Sequence, residues 1–256
     1  MAAYSRASYY RELSGDLNGA VEAMRLAASA GGTPENVAYV QVLLGDLELQ
    51  RGRVQAARLA YTSALRSLPG FPAGMVGLAR ADAGGGDLGR AAARLRRAAQ
   101  RLPLTSTLGL LAQVEGALGH PAAAAATLAT ARAQQGLYRA AGTAPDAEAV
   151  LFEADHGSPP AAVALGRRVW RAAPSVRSAD ALGWALTRSG RPAAGFRFAR
   201  RALALGSRDA LFRLHAGTAA KRAGRPGPAA RHLGIAAAAR AALAPEAAAL
   251  LEEARR

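Results

Sequence analysis

Cysteine is absent from the 256-residue chain, which excludes disulfides and thiolate-held metals and leaves no trace of a redox compartment. Lysine occurs once, at Lys221, so arginine carries the net charge of +15. With the alanine excess, this usage suggests a GC-rich, actinobacterial-like coding sequence. Aromatic residues amount to 5%, and with few β-branched residues strands are not expected. No apolar run reaches 18 residues, so no membrane-spanning helix and no membrane insertion are expected. Met1 to Ser14 lacks the apolar centre of a signal peptide. As written the chain reads as cytoplasmic; a longer natural N-terminus would allow an extracytoplasmic location.

Catalytic signatures are equally scarce. The histidines His120, His156, His215 and His232 form no His-x-x-x-His pair and no cluster at metal-ligand spacing. Gly84-Gly85-Gly86 lacks the Gly-Lys-Ser/Thr of a phosphate loop and reads as a turn. Asp155-His156-Gly157 reads as a helix–helix turn, where short polar residues belong. No catalytic residue, metal or cofactor is expected.

What the chain does have is a period. Gly15, Gly52, Gly86, Gly119, Gly157, Gly190 and Gly224 are separated by 37, 34, 33, 38, 33 and 34 residues. Five residues after each stands Ala20, Ala57, Ala91, Ala124, Ala162, Gly195 or Ala229, and seven further on Ala27, Ala64, Ala98, Ala131, Val169, Ala202 or Ala236. Self-similarity near 34 residues means one supersecondary unit stacked on itself. Each glycine fits the turn between two antiparallel helices. In the second unit, helix A is expected from about Tyr39 to Gln50, and helix B carries Ala57, Tyr61 and Ala64 on one face before Pro69 ends it. Pro103 and Pro174 occupy the equivalent place after their glycines.

These residues resemble the tetratricopeptide repeat (TPR) family over essentially the whole chain. The second unit supplies Leu44, Gly45, Gly52, Ala57, Tyr61, Ala64 and Pro69; the third Leu78, Ala79, Gly86, Ala91, Leu95, Ala98 and Pro103; the sixth Leu182, Gly183, Gly190, Gly195 and Ala202. The first-helix aromatic is replaced by Gln41, Met75 and Leu108, and Gly166 makes the fifth unit degenerate. The resemblance implies an all-α, right-handed α-α superhelix (a TPR solenoid) of about seven hairpins, close to one superhelical turn. Repeats are expected at 1–34, 38–71, 72–104, 105–138, 143–175, 176–209 and 210–243, with 244–256 a C-terminal capping helix. Gly31-Gly32-Thr33 and residues 136–142 are longer joints, the second the expected hinge.

The resemblance further implies that the A helices line a concave groove that receives a protein or peptide, with no enzymatic activity. Positions six and three before each turn glycine would face it. Tyr9, Asp46, Arg80, Gln113, Asp180, Trp184, Thr187, Arg188, Lys221 and Arg222 are the expected partner-binding residues. Asp180, Trp184, Thr187 and Arg188 share one helical stripe, and an indole beside cations suits acidic or aromatic anchors. The alternative is that Trp184 fills space between helices. The Lys/Asn/Asn/Lys/Arg set that clamps chaperone tails is missing, with Ser5, Tyr9, Leu43, Ala73 and Gly77 in its places.

Charge is uneven: residues 1–128 hold 13 arginines against 9 acidic residues, and residues 129–256 hold 20 basic against 9 acidic. A basic C-terminal half favours acidic partners. Arg90, Arg94, Arg97 and Arg101, Arg167, Arg168 and Arg171, and Arg197, Arg200 and Arg201 cluster on B helices, the convex side. Nucleic acid is the less favoured partner, because Trp170, Phe196 and Phe198 are expected to pack inward rather than stack bases. A first repeat with no cap before it, displaying Tyr4, Tyr9, Tyr10 and Leu13, points to homo-oligomerisation as an alternative.

Overall fold

A computed structural model describes residues 1–256. Helices pair in sequence: α1 (Ala2–Leu13) with α2 (Leu17–Ser29), α3 (Pro34–Gln50) with α4 (Val54–Ser67), α5 (Pro72–Gly84) with α6 (Leu88–Arg101), and α7 (Thr105–Ala117) with α8 (Pro121–Ala140). Then follow α9 (Ala147–His156) with α10 (Pro159–Ala172), α11 (Val176–Arg188) with α12 (Pro192–Ala202), and α13 (Ala210–Arg222) with α14 (Pro226–Ala238). A 3₁₀ turn at Arg240–Ala242 leads into α15 (Pro245–Arg255). The fold is an all-α helical repeat array, and no helix is long and apolar enough to cross a membrane.

Six of the glycines that set the period adopt positive φ, between 68° at Gly224 and 89° at Gly86. Gly157 departs, with φ −126°. There α9 stops at His156 and α10 begins at Pro159, and the Glu153 carboxylate accepts the Ser158 N–H at 2.9 Å, closing the turn without a left-handed residue. Asp155 and His156 therefore belong to α9 rather than to a turn. Helix α3 begins five residues before Tyr39, because Thr33 accepts the Asn36 N–H and Pro34 occupies the first turn. Residues 136–142 are not an open joint: α8 continues to Ala140, as the alanine-rich ARAQQGLYRA segment favours.

The alanines after each turn form the hairpin interfaces. Ala20, Ala27, Ala57, Ala64, Ala91 and Ala98 have no exposed surface, so helices approach closely around a few larger side chains such as Tyr61, Leu95, Leu182 and Leu214. Helix α8 is the thin point, with Ala131 its one buried residue.

A ladder of charge runs through the first half. Glu48, Asp82 and Glu115 stand four residues before their turn glycines and are 2%, 0% and 3% exposed. Arg25 and Arg51 reach Glu48 at 3.1 and 3.0 Å. Arg58 and Arg94 both reach Asp82, the latter at 2.7 Å. Arg96 reaches Glu115 at 2.9 Å, and Thr127 donates to its other oxygen. Each buried carboxylate thus joins separate helices, and the partners keep it from being an uncompensated buried charge.

The array curls until its ends meet. Gly15, between α1 and α2, lies so close to the loop after α12 that a Cβ there would sit 2.6 Å from the Gly206 carbonyl oxygen. Both glycines have positive φ, 82° and 101°. The 3₁₀ turn crosses α3 and α5, and a Cβ at Gly84 would collide with the Ala241 backbone. Helix α15 covers the last hairpin through Leu251, Ala248 and Ala254 and also reaches α7 on the far side of the groove.

Candidate functional site

Curling places the A helices around a central cavity of about 1260 Å³. Side chains from α1, α3, α5, α7, α9, α11 and α13 line it, and α15 closes part of it through Glu246, Ala247, Leu250 and Glu253. Its wall combines apolar groups such as Leu151, Leu211 and Leu250 with the cations Arg80, Arg177 and Arg188. Gln50 and Gln113 each present a buried side-chain oxygen with no hydrogen-bond partner, and both line the cavity.

Of the residues expected to bind a partner, Tyr9, Arg80, Gln113, Asp180, Trp184 and Arg188 line the cavity. The others stand behind or beside it. Asp46 accepts from Arg80 Nη1 at 2.6 Å and from the Tyr61 hydroxyl at 2.8 Å. It therefore fixes the Arg80 guanidinium. Burial opposes the charge on Arg80, but Asp46, Tyr61 and Asp209 together outweigh it and raise the pKa further. Thr187 is buried and donates to the Gly183 carbonyl at 2.9 Å. Lys221 donates to the Ala254 carbonyl at 3.0 Å and so holds α15. Arg222 is exposed outside the cavity.

Trp184 differs from an open aromatic platform. It is 2% exposed, and its indole N–H donates to Asp155 Oδ1 at 2.7 Å. One face stacks on the His215 ring at 4.3 Å between centroids and 10° between planes, and the Arg188 guanidinium lies 5.7 Å from the indole centroid. A hydrophobic indole beside the interhelical core and two polar neighbours accounts for this placement: the ring completes the α9–α10–α11 packing, and the buried N–H requires an acceptor.

His215 is the member that spacing along the sequence did not reveal. Its Nδ1–H donates to both oxygens of Asp180, at 2.9 and 3.1 Å, and both residues are buried, at 4% and 1% exposure. Burial disfavours the charged ring, but Asp180, with Asp155 and Asp209 adding to it, outweighs burial and raises the His215 pKa above its ordinary 6.5. The period explains the other pair but not this one. Asp46 and Arg80, 34 residues apart, both stand six before their turn glycines and so occupy matching places on successive A helices. Asp180 and His215, 35 apart, stand ten and nine before theirs and fall one position out of register. No cluster of three metal-ligating side chains forms around this pair.

A second polar group lies where the ends meet. Glu12 accepts from Gln50 Nε2 at 2.8 Å, and Asp209 caps α13 by accepting the Phe212 N–H at 2.9 Å. Burial raises the pKa of both carboxyls, each reinforced by neighbouring acidic groups. Glu246 of α15 is likewise raised, first by burial, with Asp155 adding to it and His156 and Arg188 opposing.

No protein-family model and no curated protein matches the chain. Among solved structures it is similar to the APC/C hetero-tetramer Cut9–Hcn1, 18% identical with a TM-score of 0.49, over 94% of this chain and 48% of that one. The chain thus spans about half the length of that protein. It is also similar to a tetratricopeptide repeat protein from Parabacteroides merdae ATCC 43184, 15% identical with a TM-score of 0.48, over 100% of this chain and 98% of that one. Pseudomonas aeruginosa pilF is 16% identical with a TM-score of 0.40, over 80% and 78%. The helical repeat architecture is carried by this chain's own fifteen α-helices.

Proposed function

We propose that the chain is a non-catalytic protein-interaction scaffold whose central groove receives a segment of a partner protein. The observation that carries this reading is the cavity of about 1260 Å³ lined from every A helix, larger than the roughly 300–1,000 Å³ typical of small-molecule pockets. Arg80 and Arg188 would take acidic side chains of the segment. The partnerless oxygens of Gln50 and Gln113 would accept backbone N–H groups, removing the cost of leaving them buried and unpaired. Trp184 and Asp180, held by Asp155 and His215, would position this wall rather than present an open stacking surface. The Asp180–His215 pair is read as part of that wall, its ring held against Trp184. Stacked helices fix these groups in advance, so little ordering entropy is lost on binding.

Arg188 is exposed and lines the cavity, which makes Arg188→Glu a test that spares the core. Capture of binding partners from lysate is compared for the unaltered protein, Arg188→Glu and the convex-surface variant Arg97→Ala, each checked for helicity. Loss of a captured partner with Arg188→Glu alone, and cross-links from that partner to Tyr9 or Arg188, are expected. Capture unaffected by Arg188→Glu and abolished by Arg97→Ala would overturn the groove reading.

Tyr4 and Tyr10 on α1 are 44% and 69% exposed, and this favours a second reading, self-association through the first hairpin. Light scattering tests it: molecular mass rising with concentration, and lost in Tyr10→Glu, is its signature.

A further inference from the structure

Where arginines pack against neighbouring helices in the first half of the array, carboxylates meet them: Glu48, Asp82 and Glu115 each bind guanidinium groups. The last two hairpins break this rule. A pocket of about 610 Å³ between α12 and α14 is lined by Arg200, Arg213, Arg225 and Arg231 together with Phe196 and His232, and no carboxylate lines it. None of the four guanidinium groups has an Asp or Glu partner anywhere in the protein.

Two of the four are held in place. Arg213 donates through Nε to the Ser207 carbonyl at 2.7 Å, through Nη2 to the Gly206 carbonyl at 3.0 Å, and through Nη1 to His232 Nδ1 at 3.1 Å. A guanidinium is always protonated, so His232 presents a lone pair there and its ring is neutral. Arg225 lies 5.6 Å from the Phe196 ring centroid. Arg200 and Arg231 are exposed at the rim, free to close on a ligand. Burial first, then Arg213 and Arg231, push the His232 pKa down to about 4, and burial with Arg208 and Arg231 lowers that of Arg213. In both, the neighbouring guanidinium groups add to the larger effect of burial.

We propose that this pocket is a binding site for a small soluble anion bearing phosphate groups. Four guanidinium groups facing one space need more negative charge than a single carboxylate brings. A phosphate group carries about −1.5 to −2 at pH 7 with three acceptor oxygens, which guanidinium forks match in pairs. The volume lies within the roughly 300–1,000 Å³ of small-ligand pockets. None of its lining residues lines the groove, and the site stands independently of the partner reading.

Inorganic pyrophosphate is the probe. It is titrated into the full chain at low ionic strength by calorimetry, and in parallel the four histidines are followed by NMR in ¹⁵N-histidine-labelled protein. Saturable binding is expected, with His232 moving while His120, His156 and His215 stay in place. Arg200→Gln/Arg231→Gln, which alters only exposed side chains, is expected to weaken binding by about tenfold or more, the loss of at least one charge-assisted hydrogen bond. The proposal is overturned by no saturation at millimolar pyrophosphate, by unchanged affinity in the double variant, or by all four histidines shifting together. Binding of a single-stranded oligonucleotide without binding of pyrophosphate overturns it too, and makes the face a diffuse electrostatic surface instead.

Discussion

Gly77→Ala tests how tightly the groove wall is built. Tyr61 is fully buried, and its ring lies between the backbones of α3 and α5 at Gly45 and Gly77. A Cβ at either glycine would fall well inside 3.0 Å of ring carbons. The ring has no easy retreat, because its hydroxyl donates to the same Asp46 oxygen that holds Arg80. Alanine returns about 1 kcal/mol of helix propensity. Against that stand about 1–3 kcal/mol of overpacking and about 1.5–3 kcal/mol if the displaced hydroxyl loses the carboxylate. A net destabilisation of about 1.5–5 kcal/mol is expected in urea unfolding. Tyr61→Leu in the same chain removes the obstacle, so the double variant should be more stable than the sum of the single losses by over about 1 kcal/mol. A Gly77→Ala protein as stable as the parent, or losses that add within about 0.5 kcal/mol, would refute the reasoning.

Two further predictions concern buried charge. Asp82→Ala leaves Arg58 and Arg94, 23% and 33% exposed, without their counter-ion; a loss of about 1.5–3 kcal/mol, that of a hydrogen bond to a charged group, is expected in thermal melting. Glu252→Ala is its control, since the Arg240–Glu252 pair is 54% and 50% exposed and should contribute about 0–1 kcal/mol. His215, with its folded-state pKa raised above 6.5, contributes stability that is fully present below pH 6.5 and lost as pH rises through the folded value. The difference in unfolding free energy between the parent and His215→Gln should therefore shrink as pH rises above about 6.5, and a difference independent of pH refutes the ion pair.

The hairpin array was legible because its causes are local and repeated. A glycine with positive φ at Gly15, Gly52 or Gly86 and alanines without exposed surface at Ala20, Ala57 or Ala91 leave a mark that recurs along the chain. Part of the groove was legible for a related reason: Tyr9, Arg80, Gln113 and Trp184 line the cavity because successive A helices point the same position, six before the turn glycine, inward. Trp184 shows the limit. Its position on the inner face follows from the period, but its burial depends on Asp155, 29 residues away and off that period. Gly157 kept its place in the series while losing the conformation, since Glu153 closes that turn instead. The approach of Gly15 to Gly206 and the path of α15 sum small rotations over many units, and no single residue encodes them.

That approach changes what kind of object the protein is. An open solenoid melts like a zipper, losing end units first, because each end unit has a neighbour on one side only. Here the first hairpin rests on the loop before the last, and the 3₁₀ turn rests on α3 and α5, so neither end is free to peel. The array loses the springlike freedom by which an open coil changes pitch and gains the all-or-none character of a globular domain. The break in such a ring would come at its weakest link, around α8, rather than at its termini.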